Sequence, residues 1–255
     1  MKTKISGLLV STGVLCVAAI GVQAQDDQEM RFAPSELMLC SFKEGQGNGD
    51  LKGLTKAFNK WLNKNDTDYT YYLLRPQYHE DSADWDFAWI GSWSDGAGFG
   101  AGYDAWLKDD DGVGEQFEEL MDCNYSMASV TPISVPENGP WERGVVWFQR
   151  CEREDGVGLS DAIGAHRSSA QALAEMAEMG ETAASWAFLP ALGFGDVDFD
   201  YYHVQAWPSH GALGASFDNY FNKGGWKPVA EAEDGKMECQ SPNLYTFRLM
   251  RAAEN

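Results

Sequence analysis

Shifting the chain by 114 residues lays DWDFAWIGSW (84–93) on DFDYYHVQAW (198–207) without a gap, so that Asp84, Asp86 and Trp93 fall on Asp198, Asp200 and Trp207. The register extends to Pro76 on Pro190 and to Gly100, Ala101 and Asp104 on Gly214, Ala215 and Asp218, which gives 7 identities in 36 positions between 72 and 107. With small shifts at loops, Cys40 falls on Cys151, Cys123 on Cys239, and Gly45, Gly47 and Asp50 on Gly156, Gly158 and Asp161. A tandem duplication restricts the chain to folds whose repeating unit is about 100 residues long.

Each copy reads as the same series of elements. In the first, ELMLCSF (36–42) predicts a strand, a glycine-rich turn follows, and Leu51, Leu54, Phe58, Trp61 and Leu62 recur at helical spacing over 49–64. Strands at 69–75 and 84–93, a helix over 99–121 and a strand over 124–133 complete it. The second copy predicts strands at 144–151, 183–189, 198–207 and 242–250, with helices at 159–178 and 212–223. The order βαββαβ, twice, is that of the ferredoxin-like unit. The expected fold class is α+β, with repeats over 34–135 and 143–251.

The ferredoxin-like sheet order 4-1-3-2 makes strands 1 and 4 antiparallel neighbours. Cys40 stands near the end of strand 1 and Cys123 just before strand 4, and Cys151 and Cys239 hold the same places in the second copy. This predicts the disulfides Cys40–Cys123 and Cys151–Cys239. The cysteines stand too far apart for the close ligand pairs of a zinc site. Disulfides suit an oxidising compartment, as does the amino terminus. There Lys2 and Lys4 precede an apolar run from Leu8 to Val22 that closes on Val22-Gln23-Ala24, the pattern of a signal peptide over 1–24 cleaved after Ala24. A periplasmic or secreted protein is expected, with no membrane span after residue 24. The formal charge of −20 disfavours nucleic acid and anionic lipid as partners.

With two ferredoxin-like repeats, the chain resembles the dimeric α/β-barrel superfamily, which includes antibiotic-biosynthesis-monooxygenase-like proteins. The resemblance covers about 34–251 and rests on topology and duplication. It implies two sheets facing each other as an intramolecular barrel with helices outside, hence a monomer with an internal pseudo-dimer. Its members include cofactorless monooxygenases, lyases and haem enzymes such as chlorite dismutases and dye-decolorising peroxidases, so the fold does not select an activity. GSWSDG (91–96) is one residue longer than the G-x-x-D-G element of the peroxidases, and no proximal-histidine motif accompanies it. No cofactor is therefore predicted, and haem is kept as an alternative.

Alternation along the third strands separates two faces. Ala88 and Ile90, and in the second copy Tyr202 and Val204, make a face suited to helices. Trp85, Phe87, Trp89 and Trp93, with Phe199, Tyr201, His203, Gln205 and Trp207, make the other, which is expected to line the space between the sheets. These rings either fill that space as a core or wall a pocket for a small aromatic or apolar ligand, with Tyr72 and Arg75 as further lining residues. Where Trp89 becomes His203 and Gly91 becomes Gln205, the second copy gains a titratable ring. His203 is read as a general base of a monooxygenase or lyase, a haem or metal ligand, or a hydrogen-bonded core histidine. Glu36 and Gln149 on the first strands are supporting polar candidates. A non-catalytic interaction module with a filled barrel is the reading from another class. Lys52, Lys56, Lys60 and Lys64 mark a solvated helix face. KDDDGVGEQFEE (108–119) places Leu107 where an EF-hand needs its first ligand, so no metal is assigned there.

Overall fold

The computed structural model describes residues 30–79, 85–137, 139–177 and 182–253, and the expected signal peptide lies outside them. The first copy runs β1 (Ala33–Phe42), α1 (Asn48–Lys64), β2 (Thr70–Tyr78), β3 (Phe87–Ser92), α2 (Gly96–Trp106), α3 (Val113–Leu120) and β4 (Met121–Ser134). The second runs β5 (Arg143–Arg153), α4 (Leu159–Met176), β6 (Ala184–Leu192), β7 (Tyr201–Trp207), α5 (His210–Phe217), α6 (Trp226–Glu233), β8 (Met237–Cys239) and β9 (Asn243–Arg251), with a π-helical turn at Asp218–Asn222 after α5.

Within the first copy the strands lie in the order β4-β1-β3-β2, and within the second β9-β5-β7-β6. Pairings β2–β9 and β4–β6 then join the two sheets edge to edge, so eight antiparallel strands close into a barrel. Closure removes the open sheet edges on which other chains could pair. No described helix is long and apolar enough to cross a membrane.

Shared residues explain the shared backbone. Cys40 lies directly opposite Cys123 in the β1–β4 ladder and Cys151 opposite Cys239 in β5–β8, and both disulfides form. The carboxylate of Asp86 accepts from the Phe42 amide at 2.8 Å, and that of Asp200 accepts from the Arg153 amide at 2.8 Å, so each duplicated aspartate pins the strand just beyond its cysteine. Asp95 and Ser209, also equivalent, cap α2 and α5 by accepting from Gly98 and Ala212.

Helix α1 buries Leu51, Leu54, Phe58, Trp61 and Leu62 and exposes its four lysines, as the periodicity predicts. The single helix expected over 99–121 is instead two. Asp109 accepts from the amides of Asp111, Val113 and Gly114, and Gly112 takes a φ of 71°, so the acidic loop turns the chain and starts α3. Strand 4 of the second copy is likewise divided, with β8 carrying the cysteine and β9 the barrel pairing, and α6 precedes it where sequence periodicity gave no helix.

The facing of the third strands is the reverse of the expectation. Phe87, Trp89 and Trp93 pack beneath α1, α2 and α3, whereas Ala88 and Ile90 point into the barrel with Leu74, Ala128, Val146, Val204 and Ala206. The physical reason is room. An eight-stranded barrel has an interior only wide enough for side chains or one small ligand, so small residues belong inside. Helices stacked on a sheet leave a deeper layer that large rings fill.

Candidate functional site

A cavity of about 660 Å³ occupies the barrel interior and opens at one end. Leu37, Leu74, Ala88, Ile90, Phe148 and Tyr245 supply the apolar part of its walls. Polar groups, among them Asp122, Asn124, Ser126, Arg150, Gln240 and Asn243, make up much of the rest, and His79, Trp85, Phe194 and Ser241 come from strand ends and loops. A concave chamber of this size, with apolar walls and convergent polar groups, is a natural small-molecule site.

Only some of the residues expected to bind a ligand belong to this chamber. Trp85 lines it, stacked on Tyr245 at 5.8 Å. Tyr72 belongs to the barrel-facing cluster and meets Phe247 edge-on at 5.7 Å, and Phe199 packs on the lining residue Tyr202 at 4.5 Å. Phe87, Trp89, Trp93, Tyr201, Gln205 and Trp207 are on strand positions facing the helices, and of these Trp89 also borders the chamber although its ring packs in the helix-side cluster. Arg75 is on the helix side as well, with its guanidinium 5.0 Å from the Phe87 ring, where burial lowers its pKa. Sequence reasoning missed Leu37, Ala88, Tyr202 and Tyr245 as lining residues. The signal that could have found them is the matched parity of the small residues Ala88 and Ala206.

Beneath the helices of the first copy lies a second, smaller recess of about 80 Å³. At its sheet end Glu36 accepts hydrogen bonds from the hydroxyls of Tyr69 and Tyr103, the latter at 2.9 Å, and Trp89 Nε1 donates to the Tyr69 hydroxyl at 2.9 Å. Burial raises the Glu36 pKa above the ordinary carboxyl range, although the two phenols oppose the shift. Tyr69 reaches Glu36 by lying across Gly91, where a Cβ would stand 1.8 Å from its hydroxyl oxygen. The glycine therefore makes room for a tyrosine.

In the second copy His203 is 7% exposed and stacks on His166 at 3.9 Å between sheet and helices. His166 Nδ1 lies 3.0 Å from the Glu233 carboxylate, which accepts from it, and Nε2 lies 3.0 Å from the Tyr201 hydroxyl. Burial holds the His203 imidazole well below the usual histidine range, and His166 beside it adds to the effect. Gln149 lies opposite His203 in the β5–β7 ladder.

An axially ligated haem needs an imidazole nitrogen presented to an open slot. Among the described residues His166 has both nitrogens engaged, His203 is stacked against it under the helices, His210 is exposed at the start of α5 with Nε2 2.8 Å from Gln77 Oε1, and His79 stands at the barrel mouth 6.5 Å from Trp85. This arrangement does not fit a haem. The acidic cluster Asp109, Asp110 and Asp111 is employed in capping α3 and in an ion pair of Asp111 with Lys64 at 2.6 Å.

No protein-family model matches the chain, and no curated protein matches it. Solved structures do match in fold. A candidate chlorite dismutase is 11% identical with a TM-score of 0.52, over 88% of this chain and 97% of that one. A candidate monooxygenase from Lactobacillus acidophilus NCFM is 14% identical with a TM-score of 0.51, over 88% and 97%. A double mutant of the chlorite dismutase from Candidatus Nitrospira defluvii is 6% identical with a TM-score of 0.50, over 86% and 92%. With its closed barrel of two ferredoxin-like repeats, the chain has the fold of the dimeric α/β-barrel superfamily.

Proposed function

We propose that this chain is an exported protein that takes one small, largely apolar molecule into the interior of its barrel. The observation that carries the reading is the chamber itself. Its volume of about 660 Å³ lies within the range of small-molecule sites, and its walls combine aliphatic and aromatic side chains with polar ones. Two disulfides and an amino-terminal apolar segment behind two lysines support export. The alternative of an enzyme using His203 as base gains no support, because that imidazole belongs to the helix side of β7 and would not meet a molecule inside the barrel.

The test is a fluorescence titration with N-phenyl-1-naphthylamine, a neutral apolar fluorophore, on unreduced protein. The expected result is saturable enhancement at one probe per chain. A linear, unsaturable response would overturn the proposal.

A further inference from the structure

The recess beneath the first copy's helices has a lining unlike that of the barrel. Glu36 is the one carboxylate among its lining residues, and no lysine, arginine or histidine accompanies it. Around it stand the rings of Tyr69, Trp89, Trp93, Tyr103, Trp106 and Tyr125. Tyr125 is 58% exposed, which places it at the rim, whereas Trp89 and Trp93 are buried at the floor. Glu36 is half-buried, and a carboxylate withdrawn from water in this way is ordinarily matched by a cation. Here two phenol hydroxyls satisfy its oxygens, and no cationic partner stands among the described residues.

The fold does not require this arrangement, because the second copy lacks it. Strand register places Trp147 at the position of Glu36, Gln205 at that of Gly91 and Ser185 at that of Tyr71. The sequence offset places Ala183 at that of Tyr69. There the indole of Trp147 packs on Trp207 at 4.7 Å, and Trp147 and Ala183 close the space as apolar core. Glu36, Tyr69 and Gly91 are thus a matched set confined to one copy. If their purpose were only to fill volume, Trp147 and Ala183 show that apolar side chains can do it.

A single negative charge ringed by aromatic faces is the chemistry that recognises a weakly hydrated organic cation. Ring quadrupoles attract the spread positive charge without demanding hydrogen bonds, and the carboxylate supplies the counter-charge. A metal ion would want several oxygen ligands, whereas the recess offers one carboxylate. The chain's formal charge of −20 would also draw cations toward it. From this geometry we propose that the recess between the first sheet and α1–α3 binds a small methylated ammonium group, with Glu36 as counter-ion and Trp89, Trp93, Tyr103 and Trp106 as the aromatic cage. The recess and the barrel chamber lie on opposite sides of the first sheet and share Trp89 and Tyr125 among their lining residues, whereas Glu36, Tyr69, Trp93, Tyr103 and Trp106 border the recess and not the chamber.

The experiment is a calorimetric titration of the full unreduced protein with tetramethylammonium chloride, against sodium chloride at equal ionic strength. Saturable binding of tetramethylammonium alone is expected, and Glu36→Gln is expected to weaken it by at least about tenfold. The barrel-filling variant Ala88→Phe is expected to bind it as well as the parent, which separates this proposal from the barrel reading. A readout on the parent protein covers the case in which Glu36→Gln fails to fold. The titratable groups facing Glu36 are Tyr69 before β2, Tyr103 on α2 and Tyr125 on β4, and no charged side chain of α1, α3 or β3 lines the recess. Affinity should therefore fall on acidification, as Glu36 takes up a proton. Binding that is absent, equal for sodium, or equal in Glu36→Gln would overturn the proposal, as would affinity that does not change on acidification.

Discussion

The two copies share a backbone and differ in what they place under their helices. In the first, Trp89 stacks on Tyr71 at 4.2 Å, and Phe58 meets both rings at 5.5 and 5.6 Å. Strand register and the sequence offset put His203, Ser185 and Ser169 at those three positions in the second. Each of the three has a buried polar atom without a hydrogen-bond partner, as do Asn219 and Trp207 nearby in sequence or sheet. Among the described residues of the first copy, Thr131 on β4 is the one side chain with such an atom. One copy therefore has an aromatic core whose polar groups are bonded apart from Thr131, and the other a core with several unsatisfied polar atoms, each costing about 1–3 kcal/mol. The lesson is that strand pairing, paired cysteines and capping aspartates hold this fold, and the layer beneath the helices is free to diverge once they are in place.

The largest effect that could break this comparison comes from truncating equivalent residues. Trp89→Ala removes a fully buried indole and should cost about 3–5 kcal/mol in chemical denaturation. His203→Ala should cost less than half as much, because it also removes an unsatisfied nitrogen. Equal losses would mean that the two cores are equally well packed.

A smaller effect sharpens the account of the matched set. Gly91→Gln should destabilise by about 1–3 kcal/mol, because the new side chain displaces Tyr69 from Glu36. Adding Glu36→Trp and Tyr69→Ala brings the second copy's set into the first, and should recover part of that loss. If the triple variant is less stable than the single one, the three positions do not act as a unit.

The smallest effect is in pH dependence, and it has opposite signs in the two copies. Burial raises the Glu36 pKa, so its contribution to stability is full below the ordinary carboxyl value of 4.5 and is lost as pH rises through the raised value. Burial lowers the His203 pKa, so its contribution is full above the ordinary imidazole value of 6.5 and is lost as pH falls below it. Melting curves of Glu36→Gln and His203→Asn should accordingly differ from the parent at opposite ends of the scale, by on the order of a few degrees in Tm. A His203→Asn profile that still falls with the parent's slope below pH 6.5 would assign that slope to other groups.

The duplication, the ferredoxin-like order and both disulfides were legible because they rest on local identities, Asp86 with Asp200, Cys40 with Cys151 and Cys123 with Cys239, and the barrel followed from the superfamily resemblance. The direction in which the third strand faces was not. Alternation divides Trp89 from Ala88, but when both faces of a strand are buried it does not say which of them meets the helices. Glu36 was visible as a polar residue on a strand, yet Tyr69 and Tyr103 meet it through a register and a helix placement that sequence periodicity leaves open. The break between α2 and α3 depended on Asp109 capping its own loop, a hydrogen-bond pattern that competes with helix continuation.

The neighbouring residues Ala88 and Trp89 offer the most direct test, since they stand on opposite faces of β3. Titration of N-phenyl-1-naphthylamine into folded Ala88→Phe and Trp89→Phe measures which face lines the ligand's chamber. With the ligand inside the barrel, Ala88→Phe loses at least about tenfold in affinity and Trp89→Phe stays within about twofold of the parent. The reverse pattern, with binding lost in Trp89→Phe and kept in Ala88→Phe, would place the ligand beneath the helices and contradict the account.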